Sequence, residues 1–264
     1  MKPRRVQICA DDYGFDAAIS RAILRCIDAG RLSATSCMVL SPAWPDWAPA
    51  LRERDADLGL HLDLNEFAPY APSRGLSGWI GATYLRQLDP RLLRNWIDAQ
   101  LDAFEQALRR EPDYVDGHQH VHQLPQVREA LIERLVARYG KAVALRNTAA
   151  RRWRGTKAAI IEALGSAALR RQASNAGIAC NRDFAGVYGF EDQADFAASV
   201  SRWLADIEDG GLLMTHPGEL AATETRADPI RAARARELEF WLSDAAGALL
   251  EAERIVLGRC RDWR

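Results

Sequence analysis

The chain has no apolar run approaching the roughly 18 to 20 residues that cross a bilayer, so no membrane span is expected. It lacks excess charge as well: 35 basic residues stand against 36 acidic ones, a net charge of −1. No overall field draws such a protein to nucleic acid or anionic lipid, and specific binding must come from a local site. Cysteines are few. Cys9, Cys26, Cys37, Cys180 and Cys260 are odd in number, scattered, and without Cys-x-x-Cys spacing, which argues against a disulfide framework and for reduced packing residues. Neither an internal repeat nor a low-complexity tract is present. Residues 1–5 are basic but lead into Val6-Gln7-Ile8-Cys9-Ala10 and two aspartates, where a secretory signal needs an apolar stretch of about 7 to 15 residues. A cytoplasmic location is expected.

What is there is globular. The 264 residues are 48% hydrophobic and 27% charged, a length and balance that fit one domain with its own core. Short β-rich runs alternate with stretches of helical period, the pattern of parallel strands joined by crossover helices. Strands are expected at 6–10, 34–40, 58–62, 114–120, 142–146 and 211–215, with a short one within 175–190 and a closing one at 254–257. Ile19, Ala22, Ile23, Cys26 and Ile27 mark a first helix stopping at Gly30; Leu93, Ile97, Leu101, Phe104 and Leu108 form one face of a helix over 90–109. Further helices are expected at 44–54, 125–140, 156–174, 196–207 and 229–251. Residues 66–89, with Pro69, Pro72, Gly75, Gly78 and Gly81, show no sustained period and read as a functional loop. Seven to eight parallel strands in such units predict an α/β fold, an irregular or incomplete (β/α) TIM-like barrel in a single domain.

The five histidines, His61, His118, His120, His122 and His216, all fall at or just beyond the C-terminal ends of expected strands. In α/β barrels those ends build the active-site face, so residues distant in sequence converge there. Asp11 and Asp12 end the first strand on the same rim. Side chains alternate along a strand, so both face inward only if the strand breaks, and Gly14 marks such a break. Alone, the pair also fits a solvated turn that caps the first helix, and His61 within Leu58-Gly59-Leu60-His61-Leu62 also fits a satisfied core histidine. Asp116-Gly117-His118-Gln119-His120-Val121-His122 is harder to explain that way. Three imidazoles at spacing two share a face if the strand continues, and burying them without partners is costly. A divalent cation resolves this, since neutral imidazoles are good ligands and carboxylates complete the shell. Pro125 follows closely, which puts His122 past the strand in the loop. His216 precedes Pro217-Gly218, which holds it extended, and is a candidate proton donor. Arg146 ends the fifth strand, to pair with a carboxylate or the substrate or to lie on the surface. Neutral overall charge makes Arg151-Arg152-Trp153-Arg154 a solvated loop rather than a nucleic-acid patch.

In this order Ala10-Asp11-Asp12-Tyr13-Gly14, Ser33-Ala34-Thr35-Ser36-Cys37-Met38-Val39, Gly59-Leu60-His61-Leu62, the Asp116–His122 segment, His216-Pro217-Gly218 and Arg236-Glu237-Leu238-Glu239-Phe240 resemble the YdjC-like carbohydrate deacetylases. That group contains the chitooligosaccharide deacetylases and a hopanoid-associated branch. The resemblance spans nearly the whole chain. Its members commonly carry phenylalanine and serine where Tyr13 and Gly117 stand, and residues 66–88 follow no shared pattern. It implies an irregular barrel, a divalent metal bound by Asp12, His61 and His118, and Asp11 as the base.

The reaction expected on this reading is removal of an N-acetyl group from an amino sugar, oligosaccharide or glycoconjugate by a metal-activated water, with His216 protonating the departing amine. Tyr13, His120, His122 and Arg146 are expected around the substrate. Tyr70, Trp79 and Tyr84 either stack on a sugar ring or close the rim of the core. Nitrogen and oxygen ligands suit zinc, iron, manganese or cobalt, or magnesium if water fills the shell. Two alternatives are a barrel phosphoesterase, which needs a second metal, and a non-catalytic sugar-binding protein, against which the intact rim residues count. Aromatic residues in 66–89 and 147–156 make a homodimer a further expectation.

Overall fold

The protein is described from a computed structural model over residues 2–68, 74–191, 194–220 and 228–263. The chain runs β1 (Arg4–Tyr13), α1 (Ala17–Asp28), β2 (Ala34–Cys37), α2 (Trp44–Trp47), β3 (Asp57–Leu62), α3 (Gly75–Tyr84), α4 (Pro90–Leu108), β4 (Tyr114–Gly117) and α5 (Val127–Tyr139). It continues through β5 (Ala144–Leu145), α6 (Thr156–Ala163), α7 (Ser166–Ala176), β6 (Phe184–Ala185), α8 (Phe196–Asp206), β7 (Gly211–Thr215), α9 (Arg231–Leu242), α10 (Asp244–Ala252) and β8 (Ile255–Leu257). The strands pair in parallel in the order β5-β4-β3-β2-β1-β7-β6, with β8 joined to the start of β1 opposite Arg4, Arg5 and Val6. A bridge between Leu145 and Cys180 carries β5 toward the segment leading into β6, and the sheet curls into a half-barrel.

Local chemistry accounts for the elements. Asp16 caps α1 by accepting from the Ile19 N–H, and the helix buries Ile19, Ala22, Ile23, Cys26 and Ile27 against the sheet. Asp89 caps α4 ahead of Pro90, and the predicted Leu93–Leu108 stripe is its buried face. The larger core lies between sheet and helices. A second, smaller core fills the barrel interior with Cys9, Ala34, Tyr114, Ala144, Phe184, Met214 and Trp263. Strand alternation then dictates the site. Two residues beyond Cys9, Gly59, Tyr114, Ala144 and Met214 stand Asp11, His61, Asp116, Arg146 and His216, which point into the same interior nearer the C-terminal rim.

Several expected boundaries move. β2 stops at Cys37, not at 40. Residues 75–84 within the expected loop form α3; its three glycines lower helix propensity and hide the period. Trp79 there is buried edge-on to Trp96 and closes the core, Tyr84 is 49% exposed, and Tyr70 lies outside the described residues. The single helix expected over 156–174 is two, broken at Gly165, whose φ of 144° only glycine adopts readily. That expected over 229–251 is also two, because Ser243 ends α9 and caps α10. Arg154 is not solvated: it pairs with Asp183 at 3.0 Å and Asp206 at 2.8 Å. The five cysteines are free, and burial pushes the Cys9 and Cys26 thiols up to about 12. Among the described residues no helix is long and apolar enough to cross a membrane.

Gly59 shows how tightly the interior is filled. A Cβ there would meet the Tyr114 ring at 2.3 Å, and that ring is pinned by hydroxyl contacts of 2.9 Å with Ser36 and with the Cys9 sulfur. Gly59→Ala is therefore expected to destabilise the protein by about 1–3 kcal/mol through overpacking. Urea denaturation measures this, and an unchanged midpoint would contradict the packing of Tyr114 over Gly59.

Candidate functional site

Asp11 and Asp12 reach the same cavity because β1 bulges at its end. The register against β2 shifts between Ala10 and Tyr13, and Asp12 takes a left-handed φ of 71°. Such a conformation costs a non-glycine residue on the order of 1–3 kcal/mol. The break thus falls on Asp12 itself, ahead of Gly14. Asp12 Oδ1 lies 3.2 Å from His118 Nδ1 and 3.5 Å from His61 Nε2. On the other side, Arg234 of α9 donates to Asp12 Oδ2 at 2.7 Å and to Asp228 at 2.7 Å.

The histidine-rich segment does not continue as a strand. β4 ends at Gly117, and His118–Gln123 form a 3-10 turn in which Gln119 and His120 have φ of 51° and 60°. The three imidazoles consequently part. His118 faces Asp12, and His120 lines the cavity with its ring edge-on to Phe184. His122 is buried, its Nε2 3.0 Å from the Arg146 carbonyl oxygen.

Arg146 binds the floor together. Fully buried, it donates from Nη1 to Asp11 Oδ2 at 2.7 Å and from Nη2 to Asp11 Oδ1 at 2.6 Å, and Nη2 is also 2.6 Å from Asp116 Oδ2. Asp116 Oδ1 lies 2.6 Å from His61 Nδ1, and Ser36 donates to its other oxygen at 2.6 Å. A carboxylate only accepts, so His61 carries its proton on Nδ1 and turns Nε2 toward Asp12. At the far side, His216 Nε2 is 4.0 Å from Asp11 Oδ2.

The resulting electrostatics follow from burial against charge. Burial opposes ionisation of Asp11, yet the Arg146 charge and hydrogen bonds outweigh it and hold the carboxyl below its ordinary range. Asp12 is likewise held well below, against burial, by Arg234 and the imidazoles of His118 and His61. Burial lowers His61, but the Asp116 and Asp11 carboxylates overcome it and carry the imidazole up to about 10. Burial, with His122 and Arg146 nearby, drives His120 well below the usual imidazole value. His216 is also lowered by burial, against the pull of Glu237, Asp11 and Asp12.

These residues fit a divalent cation. Single donor atoms of Asp12, His61 and His118 all lie within 4.8 Å of one another. His61 Nε2 facing a carboxylate oxygen at 3.5 Å calls for a positive charge at that position, which either a proton or a bound cation supplies. Asp11, Asp12, Asp116 and Asp228 outnumber Arg146 and Arg234, which leaves two formal negative charges. A second donor group, Cys9, Asp11 and Asp116, already has its cation: the Arg146 guanidinium touches all three.

A cavity of about 740 Å³ opens above, floored by Asp11, Asp12, His61, His118 and His216 and walled by Leu76 and Ile80 of α3 and Ile160 and Ile161 of α6. Three residues expected around the substrate do not line it. Tyr13 is buried with its hydroxyl 2.7 Å from the Trp47 carbonyl, His122 supports Arg146 from behind, and Arg146 spends its charge on carboxylates. Sequence reasoning overlooked Arg234 and Glu237, although Glu237 stands in the late Arg236–Phe240 motif. Their signal is a charged pair at helical spacing i, i+3 among Ala233, Leu238 and Trp241, all on the buried face of α9.

Fold and rim define a class: parallel β/α half-barrels whose strand ends gather carboxylates and imidazoles suited to a divalent cation. The family model for YdjC-like protein matches residues 5–252, and the chain belongs to this family. It is 32% identical over 154 residues to a carbohydrate deacetylase of Homo sapiens, covering 53% of this chain and 47% of that protein. It is 29% identical over 142 residues to a chitooligosaccharide deacetylase of Enterobacter sp. (strain 638), covering 51% of this chain and 56% of the relative. The chain thus spans about half the length of the curated relatives it matches. Among solved structures, a putative cellobiose-phosphate cleavage protein of Enterococcus faecalis V583 superposes with a TM-score of 0.74 at 20% identity over 98% of both chains. A family 4 carbohydrate esterase of Streptomyces lividans superposes with a TM-score of 0.50 at 12% identity over 100% of this chain and 97% of that one. These likenesses show the shared fold.

Because the Asp116 and Asp11 carboxylates carry His61 up to about 10 against burial, it holds a proton at neutral pH that it would have to lose to become a ligand. Divalent cation binding at pH 7 is therefore expected to release about one proton, and apparent affinity to rise with pH until His61 deprotonates. Calorimetry in buffers of different ionisation enthalpy reads this directly; binding without proton release would contradict the proton assigned to His61 in the cation-free site.

Proposed function

We propose that the protein is a metal-dependent carbohydrate deacetylase that hydrolyses the N-acetyl amide of an amino sugar, free or within an oligosaccharide or glycoconjugate. The observation that carries this reading is the juxtaposition in one cavity of the Asp12–His61–His118 donor cluster with Asp11 and His216, themselves 4.0 Å apart. The family, and relatives named as carbohydrate and chitooligosaccharide deacetylases, support the substrate class.

Asp12, His61 and His118 would hold the cation, and this donor set suits zinc, iron, manganese or cobalt, or magnesium if water fills the shell. When bound, a divalent cation supplies Lewis-acid polarisation of the acetyl carbonyl and makes water more acidic. The chain's own residues manage the proton. Arg146 keeps Asp11 ionised, and Oδ2, although it accepts from Arg146 Nη1 at 2.7 Å, retains a lone pair that can accept the proton of the attacking water. His216 begins neutral, since burial lowers it. It gains a proton beside Asp11 and delivers it to the departing amine. Leu76, Ile80, Ile160 and Ile161 give the cavity apolar walls. A two-metal phosphoesterase is disfavoured because Arg146 occupies the second donor group.

Acetate release from a panel of N-acetylated amino sugars, with and without a chelator, tests the reading. Chelation is expected to abolish release. Asp11→Asn should lower kcat by about 10²–10⁴-fold while retaining metal, and His118→Ala should lose metal and turnover together. Chelator-insensitive release, or wild-type turnover in Asp11→Asn, would overturn it.

A further inference from the structure

Helix α9 sends two charged side chains inward one turn apart. Arg234 is matched by Asp12 and Asp228. Glu237 is fully buried, and its hydrogen bonds come from neutral donors: the Tyr188 hydroxyl at 2.6 Å, the Thr215 hydroxyl, and the backbone N–H of His216 at 2.5 Å. All three donate, so the geometry is that of a proton-free carboxylate. Burying such a charge without a cation is expensive. A glutamine would fill the same space: its oxygen can accept from Thr215 and His216, and its amide can donate to a turned Tyr188 hydroxyl. These hydrogen bonds do not by themselves require the charge.

The charge sits where His216 can use it. The pairing of β7 with β1 ends at Thr215 opposite Ala10, so the sheet leaves the His216 N–H unclaimed and Glu237 takes it. The charged groups facing His216 are Asp11 and Asp12 of β1 and Arg234 and Glu237 of α9. Asp11 pairs with Arg146 and Asp12 with Arg234, whereas the hydrogen bonds of Glu237 come from neutral groups.

Resting on the deacetylase reading, we infer that Glu237 is a positioning residue that fixes the His216 backbone and supplies the negative charge that stabilises His216 while it carries a proton. In the step it serves, the proton on His216 Nε2 passes to the amine nitrogen as the C–N bond breaks. The bonding pair stays on nitrogen and the imidazole returns to neutral.

The test compares Glu237→Gln with the wild-type protein, both metal-loaded, on two acetyl donors. An N-acetylated amino sugar has a leaving group that needs a proton; 4-nitrophenyl acetate has one that leaves without it. The expected result is a fall of about tenfold or more in kcat on the amide, with KM within about twofold. The chelator-sensitive ester rate should hold within about threefold, so the amide-to-ester ratio drops. Wild-type amide turnover, or equal loss on both donors, overturns the assignment, since a merely structural role moves both alike. If Glu237→Gln does not fold, Glu237→Asp carries the test: it keeps the charge but withdraws it by one methylene, the ratio is expected to fall by about threefold, and an unchanged ratio overturns the proposal. A wild-type protein inactive on both donors overturns the deacetylase reading and this assignment with it.

Discussion

A guanidinium sealed from water between two carboxylates is the constraint on which the rest of the site depends. Desolvating Arg146 and its partners costs several kcal/mol per ion, and the cost is met only because the planar fork engages Asp11 through two nitrogens while also reaching Asp116. Asp116, once fixed, aligns His61 by its Nδ1, and the opposite ring nitrogen is thereby presented to Asp12. His122 secures the Arg146 backbone from behind. Lysine could not replace this arginine, because a single ammonium cannot bridge both carboxylates in one plane.

The bulge at the end of β1 complements this arrangement. On a regular strand Asp11 and Asp12 would face opposite ways; the left-handed turn at Asp12 brings both inward and assigns each to a different guanidinium, Asp11 to Arg146 and Asp12 to Arg234. Two adjacent carboxylates thus escape mutual repulsion within a buried floor. Backbone strain is placed where the ion pairs over-determine the conformation, which is the condition under which such strain persists.

Part of this was legible in the sequence, for a simple reason. In Leu58-Gly59-Leu60-His61-Leu62 the period of two separates outward leucines from an inward glycine and histidine, and the same alternation places Asp116 above Tyr114 and Arg146 above Ala144. What stayed hidden depends on tertiary partners or on backbone that no residue type advertises. Three histidines at spacing two imitate a strand, while the left-handed pair Gln119 and His120 contains no glycine to warn of a turn. Glycines conceal α3. Arg234 and Glu237 look like a solvated helix face until Asp12, Thr215 and His216 are seen against them. Burial of Arg146 is equally invisible, since a strand-ending arginine is commonly exposed.

The charge ledger of the floor also explains why one site can suit both a proton and a cation. Without metal, the carboxylate excess is relieved by a proton on His61, the imidazole that Asp116 and Asp11 favour most strongly in its charged form. A divalent cation held by Asp12, His61 and His118 would relieve the same excess more fully and would leave that imidazole as a neutral donor. Arg146 cannot take this part, because it is already committed to Asp11 and Asp116 on the other side of the His61 ring. The fixed cation orders the floor, and the residual negative charge it leaves uncancelled makes room for an exchangeable one.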